Sequence, residues 1–204
     1  MPMNVVLQFV RSRYFFWAVL GFPFIATVTG YRQGRLFYGE VVQASGEMSA
    51  RLLILALLAT PLLLMFPDKA FPRWLKKNRR YLGVASFAYA ALHTLVYLEK
   101  TGWWLDILDD AKLPDYWTGW VALFIFLILA ATSNDRSVRW LKHRWKKLHR
   151  FIYAAAILLF VHWVLVAFNR GPAIAHLSLL GAIEGYRIWK LKHIAAPGRS
   201  TNIV

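Results

Sequence analysis

The residues best suited to chemistry are two histidines inside long apolar segments, His93 and His162. His93 lies 12 residues after its segment starts at Tyr81, about 18 Å by helical rise. His162 lies 11 residues after Phe151, about 16–17 Å on the same basis, in a segment that crosses in the same direction. Two neutral imidazoles at one depth are the axial ligands of a haem iron that only transfers electrons. Two hydrogen-bonded packing residues are the alternative, and the matched depth favours haem.

A third histidine, His149, precedes His162 by 13 positions, at the start of the same segment. Thirteen helical steps leave the two side chains about 140° apart, so they do not clearly share a face. His149 is therefore a candidate for a second haem or another redox site. Arg79 and Arg80 lie at the corresponding level of the third segment and are candidate partners of haem propionates or of a flavin phosphate. Positive charges that extend to the membrane surface are the simpler alternative.

His176 and Glu184 lie in the last apolar segment, where ionisable groups are costly and therefore candidates for function. His176 is a candidate alternative ligand or quinone partner, or else an interfacial polar residue. Glu184 lies three residues before Arg187, which is the spacing of a helical ion pair. A proton relay is the alternative role for Glu184.

The composition indicates which class of protein holds these residues. Of the 204 residues, 58% are hydrophobic and 17% are charged, compared with about 45–50% and about 25% in soluble domains. The chain has no cysteine, which excludes disulfides, iron–sulfur clusters and thiolate haem ligation. A net charge of +15 is typical of nucleic-acid binding, but here the basic residues separate apolar segments. The sequence therefore predicts a membrane protein with no nucleic-acid partner.

Six segments approach the roughly 20 apolar residues that a helix needs to cross a bilayer. They are residues 14–31, 52–67, 81–98, 116–134, 151–169 and 171–189. None alternates polar and apolar residues, which excludes strands. The expected fold is an all-α integral membrane protein, with residues 1–204 forming one bundle of six transmembrane helices. Pro61 predicts a kink in the second segment.

The distribution of Lys and Arg predicts the orientation. The N-terminal segment, loops 68–80 and 135–150 and the tail from Arg187 hold 19 of the 25 basic residues. The alternate connections hold the other 6. The positive-inside rule then places both termini in the cytoplasm. The basic loops are also suited to anionic membrane lipids, or to docking an acidic electron donor.

Several short motifs match one known family in order and spacing. The chain contains Gly46-x13-Thr60-Pro61-Leu62, Arg79-Arg80-x-Leu82-Gly83, Ala91-Leu92-His93, Leu148-His149-x3-Tyr153 and His162-Trp163. In this pattern it resembles the MsrQ (YedZ) family, within the ferric reductase-like transmembrane superfamily. The similarity extends from about Gly46 to Phe168.

The resemblance implies a haem b subunit, with one haem or two, in the bacterial inner membrane. It implies electron transfer to MsrP, a periplasmic molybdopterin reductase that repairs methionine sulfoxide in oxidised envelope proteins. It also implies FMN as a further cofactor, and the quinone pool or a cytosolic flavin reductase as the donor. By matching position, His93 and His162 are the haem ligands, His149 is the third family histidine and Arg79 is the arginine near the inner site.

Two other functions are compatible with these residues. A stand-alone transmembrane reductase of ferric chelate, quinone or oxygen would share the haem but would need substrate access. A proton or ion transporter would use the same His and Glu residues, but transporters usually show broken helices in repeated halves, and no internal repeat is evident. The expected role is that of an electron-transfer subunit of an oxidoreductase complex rather than its catalytic subunit.

Overall fold

The computed structural model describes residues 12–102, 104–110, 112–167 and 169–194, which form helices and short connections without any strand. The α-helices are α1 Arg13–Arg32, α2 Tyr38–Met65, α3 Ala70–Thr101, α4 Trp104–Asp110, α5 Pro114–Ala131, α6 Asp135–Leu141, α7 His143–Leu148, α8 Ile152–Val166 and α9 Gly171–Ile194. A 3-10 turn, His149–Phe151, joins α7 to α8. Within these residues the all-α expectation is confirmed. Phe168 and parts of both terminal segments used for the orientation count lie outside them.

Five segments are long and apolar enough to cross a membrane: Tyr14–Arg32, Tyr38–Met65, Ala70–Thr101, Pro114–Ala131 and His143–Val166. Their outward faces carry exposed apolar side chains such as Phe22, Leu95 and Ile157, which suit a lipid environment. In the described part of the chain α9 does not join this set, because Glu184, Arg187 and two lysines interrupt its apolar residues. Six membrane spans and cytoplasmic termini therefore remain predictions.

The helices extend beyond the apolar segments that the sequence marks, so three predicted connections are wrong. α2 begins at Tyr38 rather than at 52, and the stretch containing Gly46 and Glu47 is helical. Glu47 is tolerated there because Arg51 pairs with it at 2.5 Å, one turn away. Most of loop 68–80 belongs to α3, and loop 135–150 folds into α6, α7 and the 3-10 turn. Charged residues can continue a helix past the hydrocarbon layer, so hydropathy alone understates helix length.

Two antiparallel helix pairs hold the core. α2 packs on α3 over the most extensive contact in the molecule, and α5 packs on α8. Small side chains allow α2 and α3 to approach closely, and the Ser86 hydroxyl donates to the Ser49 carbonyl at 2.9 Å across that contact. α2 continues through the buried Pro61 to Met65.

The bundle has two chemically different ends. The basic end, defined here as residues 64–80 and 132–150 with the end of α9, is held by the Arg80–Asp135 ion pair at 2.6 Å. The acidic end, residues 33–37, 102, 104–110, 112–115, 167 and 169–172, carries α4 with its aspartates. There the Tyr97 hydroxyl donates to Asp110 Oδ2 at 2.7 Å and ties α3 to α4.

Candidate functional site

The structure brings His93 of α3 and His162 of α8 together between the two helix pairs. Their ring centroids lie 6.1 Å apart, and the ring planes are nearly perpendicular at 87°. The two side chains come from segments separated by 69 positions in the chain. Their meeting therefore depends on how the two helix pairs pack.

A neighbouring helix anchors each imidazole through its Nδ1 atom. His93 Nδ1 donates to the Val42 carbonyl of α2 at 2.9 Å, and His162 Nδ1 donates to the Asp115 carbonyl of α5. A carbonyl oxygen only accepts, so the proton of each neutral ring is on Nδ1. This tautomer leaves a lone pair on each Nε2, which is the atom that binds a metal ion.

The separation of the rings suits a metal ion between them. Imidazole nitrogens bind first-row metal ions at about 2 Å, so the centroids of two axial rings around one ion would lie about 6 Å apart. The observed 6.1 Å agrees with this value. Two histidines anchored through Nδ1 could hold one metal ion through their Nε2 atoms.

A cavity of about 510 Å³ contains the two histidines, within the usual size range of cofactor sites. Toward the basic end its wall is apolar and includes Ala122, Phe126 and Leu159. Toward the acidic end the wall becomes polar and aromatic, with lining residues Tyr38, Gln43, Tyr97, Tyr116, Trp120 and Asn169. A planar, largely apolar ring with polar substituents on one side fits this division.

His149 lies in a separate cluster at the basic end. Its ring stacks on Trp145 with centroids 3.9 Å apart, and its Nε2 lies 3.1 Å from the Thr132 hydroxyl. That hydroxyl donates to the Ile128 carbonyl at 2.7 Å, so it accepts from Nε2–H of His149. Trp145 Nε1 donates to the Thr132 carbonyl at 2.9 Å and closes the cluster. Thirteen residues of helix separate His149 from His162, about 20 Å.

The predicted arginines are close to this cluster but differ in their surroundings. Arg79 and Arg80 are electrostatic neighbours of His149. Arg80 is partly buried and bound to Asp135, and its guanidinium holds the pKa of that carboxyl below the ordinary value. Arg79 is exposed, so it is accessible to an anionic ligand at the basic end.

His176 and Glu184 of α9 do not line the cavity. His176 Nδ1 donates to the Pro172 carbonyl at 2.6 Å, and its ring is 5.5 Å from Trp163, behind the cavity wall. Glu184 pairs with Arg187 at 3.0 Å, and Arg187 also donates to the Tyr153 hydroxyl at 2.6 Å. The ion-pair interpretation of Glu184 agrees with this geometry.

Sequence reasoning missed the groups that orient the histidines. Val42 and Asp115 act through backbone carbonyls, which no residue type reveals. Tyr97 carried a usable signal, because it follows His93 by four positions and so lies on the same helix face. Tyr116 comes from another helix and has its ring centroid 5.6 Å from that of Tyr97, so its place depends on the fold.

Comparison with known proteins assigns this arrangement to a family. A family model described as ferric reductase like transmembrane component matches residues 45–161, which include His93 and His149 and end next to His162. The protein-methionine-sulfoxide reductase heme-binding subunit MsrQ of Xanthomonas campestris pv. campestris (strain B100) is 32% identical over 156 residues, covering 74% of this chain and 69% of that protein.

Relatives with the same name occur in other bacteria. The heme-binding subunit MsrQ of Xanthomonas axonopodis pv. citri (strain 306) is also 32% identical over 156 residues, with the same coverage. That of Azospira oryzae (strain ATCC BAA-33 / DSM 13638 / PS) is 37% identical over 121 residues, covering 56% of this chain and 52% of that protein. No solved structure matches the chain.

Proposed function

This chain belongs to the MsrQ family of ferric reductase-like transmembrane components, and we propose that it is the haem b-binding, electron-transferring membrane subunit of a protein-methionine-sulfoxide reductase system. The observation that carries the proposal is the pair of Nδ1-anchored imidazoles 6.1 Å apart in one cavity. A haem held by two histidines supplies one-electron redox chemistry without an open site for substrate.

The protein's own residues prepare the site for that group. The carbonyls of Val42 and Asp115 fix the ring orientations of His93 and His162, so both Nε2 atoms are available before the haem binds. The apolar side chains of α5 and α8 that line the cavity, Ala122, Phe126 and Leu159, would keep water away from a bound haem. One haem between these histidines is the core of the proposal, and we propose that residues 1–204 form one domain around it.

The position of the site along the helices supports electron delivery at the acidic end. His162 lies four residues before α8 ends at Val166, about 6 Å, and His93 lies eight residues before α3 ends at Thr101, about 12 Å. A periplasmic MsrP-like molybdopterin reductase that docks at this end could bring its cofactor close to the haem. We propose that the basic end faces the cytoplasm, as the positive-inside rule favours. The bacterial MsrQ relatives support the bacterial inner membrane as the proposed location.

The basic end is the proposed entry for electrons from the quinone pool or from a cytosolic flavin reductase. About 20 Å separates His149 from His162, which is long for direct transfer. We propose an inner redox site near His149, with Arg79 binding a haem propionate or the phosphate of FMN. Because Thr132 accepts from Nε2–H, iron binding by Nε2 at His149 would require that side chain to release its hydrogen bond.

Visible spectroscopy of the purified full-length chain tests the main site. We expect a sharp Soret band that shifts on dithionite reduction, and loss of the low-spin spectrum in both His93→Ala and His162→Ala. His143→Ala, at an exposed histidine of α7, and His176→Ala, behind the cavity wall, serve as controls that keep the spectrum. A colourless protein would favour the transporter alternative, and full spectra in both ligand variants would contradict the assignment.

A stand-alone transmembrane reductase is the second candidate, because the cavity wall reaches the first turn of α2 and Asn169 at the acidic end. Small oxidants would then enter from that side. Mixing the reduced protein with ferric chelate, a quinone analogue, oxygen or an MsrP-like reductase distinguishes the two functions. Fast reoxidation only by the reductase supports the subunit role.

A further inference from the structure

A glycine on each supporting helix lies directly against one of the two histidines. Gly46 of α2 lies against the ring of His93, and Gly119 of α5 lies against the ring of His162. A Cβ atom added at Gly46 would lie 3.0 Å from His93 Nδ1, and one at Gly119 would lie 2.9 Å from His162 Nδ1. Optimal carbon contacts are about 3.5–4.0 Å. In both cases the crowded atom is the nitrogen that donates the anchoring hydrogen bond.

The spacing along each helix explains why the side chain has to be absent. Val42 lies four residues before Gly46, and Asp115 lies four residues before Gly119. In an α-helix the carbonyl of residue i accepts from the N–H of residue i+4, and the Cβ of residue i+4 tilts back toward that carbonyl. A residue without Cβ leaves the carbonyl open to a second donor from another helix. The same arrangement occurs on two helices.

We propose that Gly46 and Gly119 are positioning residues for the metal-binding histidines. Their missing side chains expose the Val42 and Asp115 carbonyls to Nδ1–H, and so set the tautomer and rotation of each ring. A hydrogen bond at Nδ1 raises the basicity of Nε2, which stabilises the oxidised metal ion relative to the reduced one. The expected effect on the metal ion rests on the proposed function. The packing of Gly46 and Gly119 against the histidines does not depend on it.

Other glycines separate this role from a general effect of small residues. Gly83 lies on α3, the helix of His93, and Gly181 lies on α9, and a Cβ at either would meet nothing within 4 Å. Alanine favours helix over glycine, so backbone conformation alone predicts that a helical Gly→Ala change stabilises the protein. A loss of stability at Gly46 or Gly119 would therefore report the steric conflict with histidine.

A double-mutant cycle on the haem-free protein tests the packing. The full chain is produced in a host that cannot synthesise haem, and its thermal stability is measured in detergent. We expect Gly46→Ala to lower the melting temperature in the wild type but not in the His93→Ala background, where the space is free. In the His162→Ala background we expect Gly46→Ala to lower the melting temperature as it does in the wild type. Gly119→Ala should lower the melting temperature in the wild type and in the His93→Ala background, but not in the His162→Ala background.

The haem-loaded variants test the consequence for the metal. Loss of the Nδ1 hydrogen bond should raise the reduction potential in Gly46→Ala and Gly119→Ala, and should change the low-spin electron paramagnetic resonance signal. Gly83→Ala is the matched control and should leave the potential and signal of the wild type.

The outcomes separate this inference from the proposed function. If Gly46→Ala costs as much stability with His93→Ala as without it, has no effect, or matches Gly83→Ala, the positioning role is wrong. If the coupling is present but no variant, including the wild type, binds haem, the proposed function fails and the glycine–histidine packing stands. An unchanged potential in variants that keep haem would overturn the proposed effect on the metal.

Discussion

His149 lies in a hydrogen-bonded cluster that is separate from the His93–His162 pair. It stacks on Trp145 and donates to Thr132 at the basic end, about 20 Å from His162. We expect His149→Ala to leave the absorption spectrum of the His93–His162 centre intact and to slow its reduction by quinol or by a flavin reductase several-fold. Stopped-flow reduction at matched haem content measures this rate.

Thr132→Val separates a redox role from a structural one. It removes the acceptor from His149 and keeps the imidazole, so it should impair reduction less than His149→Ala does. Equal reduction rates in wild type and His149→Ala would show that His149 only shapes the start of the helix. Slow reduction in Thr132→Val alone would instead indicate that the cluster acts through its packing.

For single residues, the sequence predicts the depth of a side chain in the membrane, because depth depends only on position along a helix. His93 and His162 could be paired because residue rise gives depth directly, and the structure brings their rings together. Their hydrogen-bond acceptors could not be predicted, because the Val42 and Asp115 carbonyls belong to the backbone of other helices. Gly46 was visible as a motif residue, but its place against His93 depends on how α2 packs on α3.

Among the elements, α9 contacts the end of α2 through a lysine at the basic end. Lys190 Nζ donates to the Leu64 carbonyl at 2.5 Å, in the last turn of α2, where carbonyls lack helical partners. We expect Lys190→Ala to lower the free energy of unfolding by about 1–2 kcal/mol, since a charged hydrogen bond is lost. Thermal unfolding in detergent measures the change, and the exposed Lys192→Ala on the same helix is the control. Equal effects of the two variants would exclude a specific role for the contact.

Element boundaries are less predictable from the sequence than element type. The apolar content of α2 predicts a helix, but the predicted start at 52 excluded Gly46 and Glu47. The Glu47–Arg51 pair explains the difference. A charged residue that pairs with an opposite charge one turn away is compatible with a continuous helix. In α9 the Glu184–Arg187 pair likewise lies within one continuous helix.

For the whole molecule, we expect the acidic end to face the periplasm and the basic end to face the cytoplasm. The chain has no cysteine, so single cysteines can be introduced without background labelling. We expect Asp109→Cys at the acidic end to react with a membrane-impermeant maleimide in intact spheroplasts, and Arg139→Cys at the basic end to react only after the membrane is opened. The unchanged chain should not label. Labelling of Arg139→Cys in intact spheroplasts would reverse the proposed direction of electron flow.

The arrangement of the two helix pairs has a consequence for the life of the protein in the cell. His93 lies on the α2–α3 pair and His162 on the α5–α8 pair, so a cofactor between them would join the two pairs. Maturation would then have two stages, with membrane insertion first and cofactor loading second. Chains that wait unloaded would expose the boundary between the pairs to membrane proteases. Iron starvation would therefore shorten the half-life of the protein. Electron transfer to the envelope would then fall through degradation of the protein, without any change in transcription.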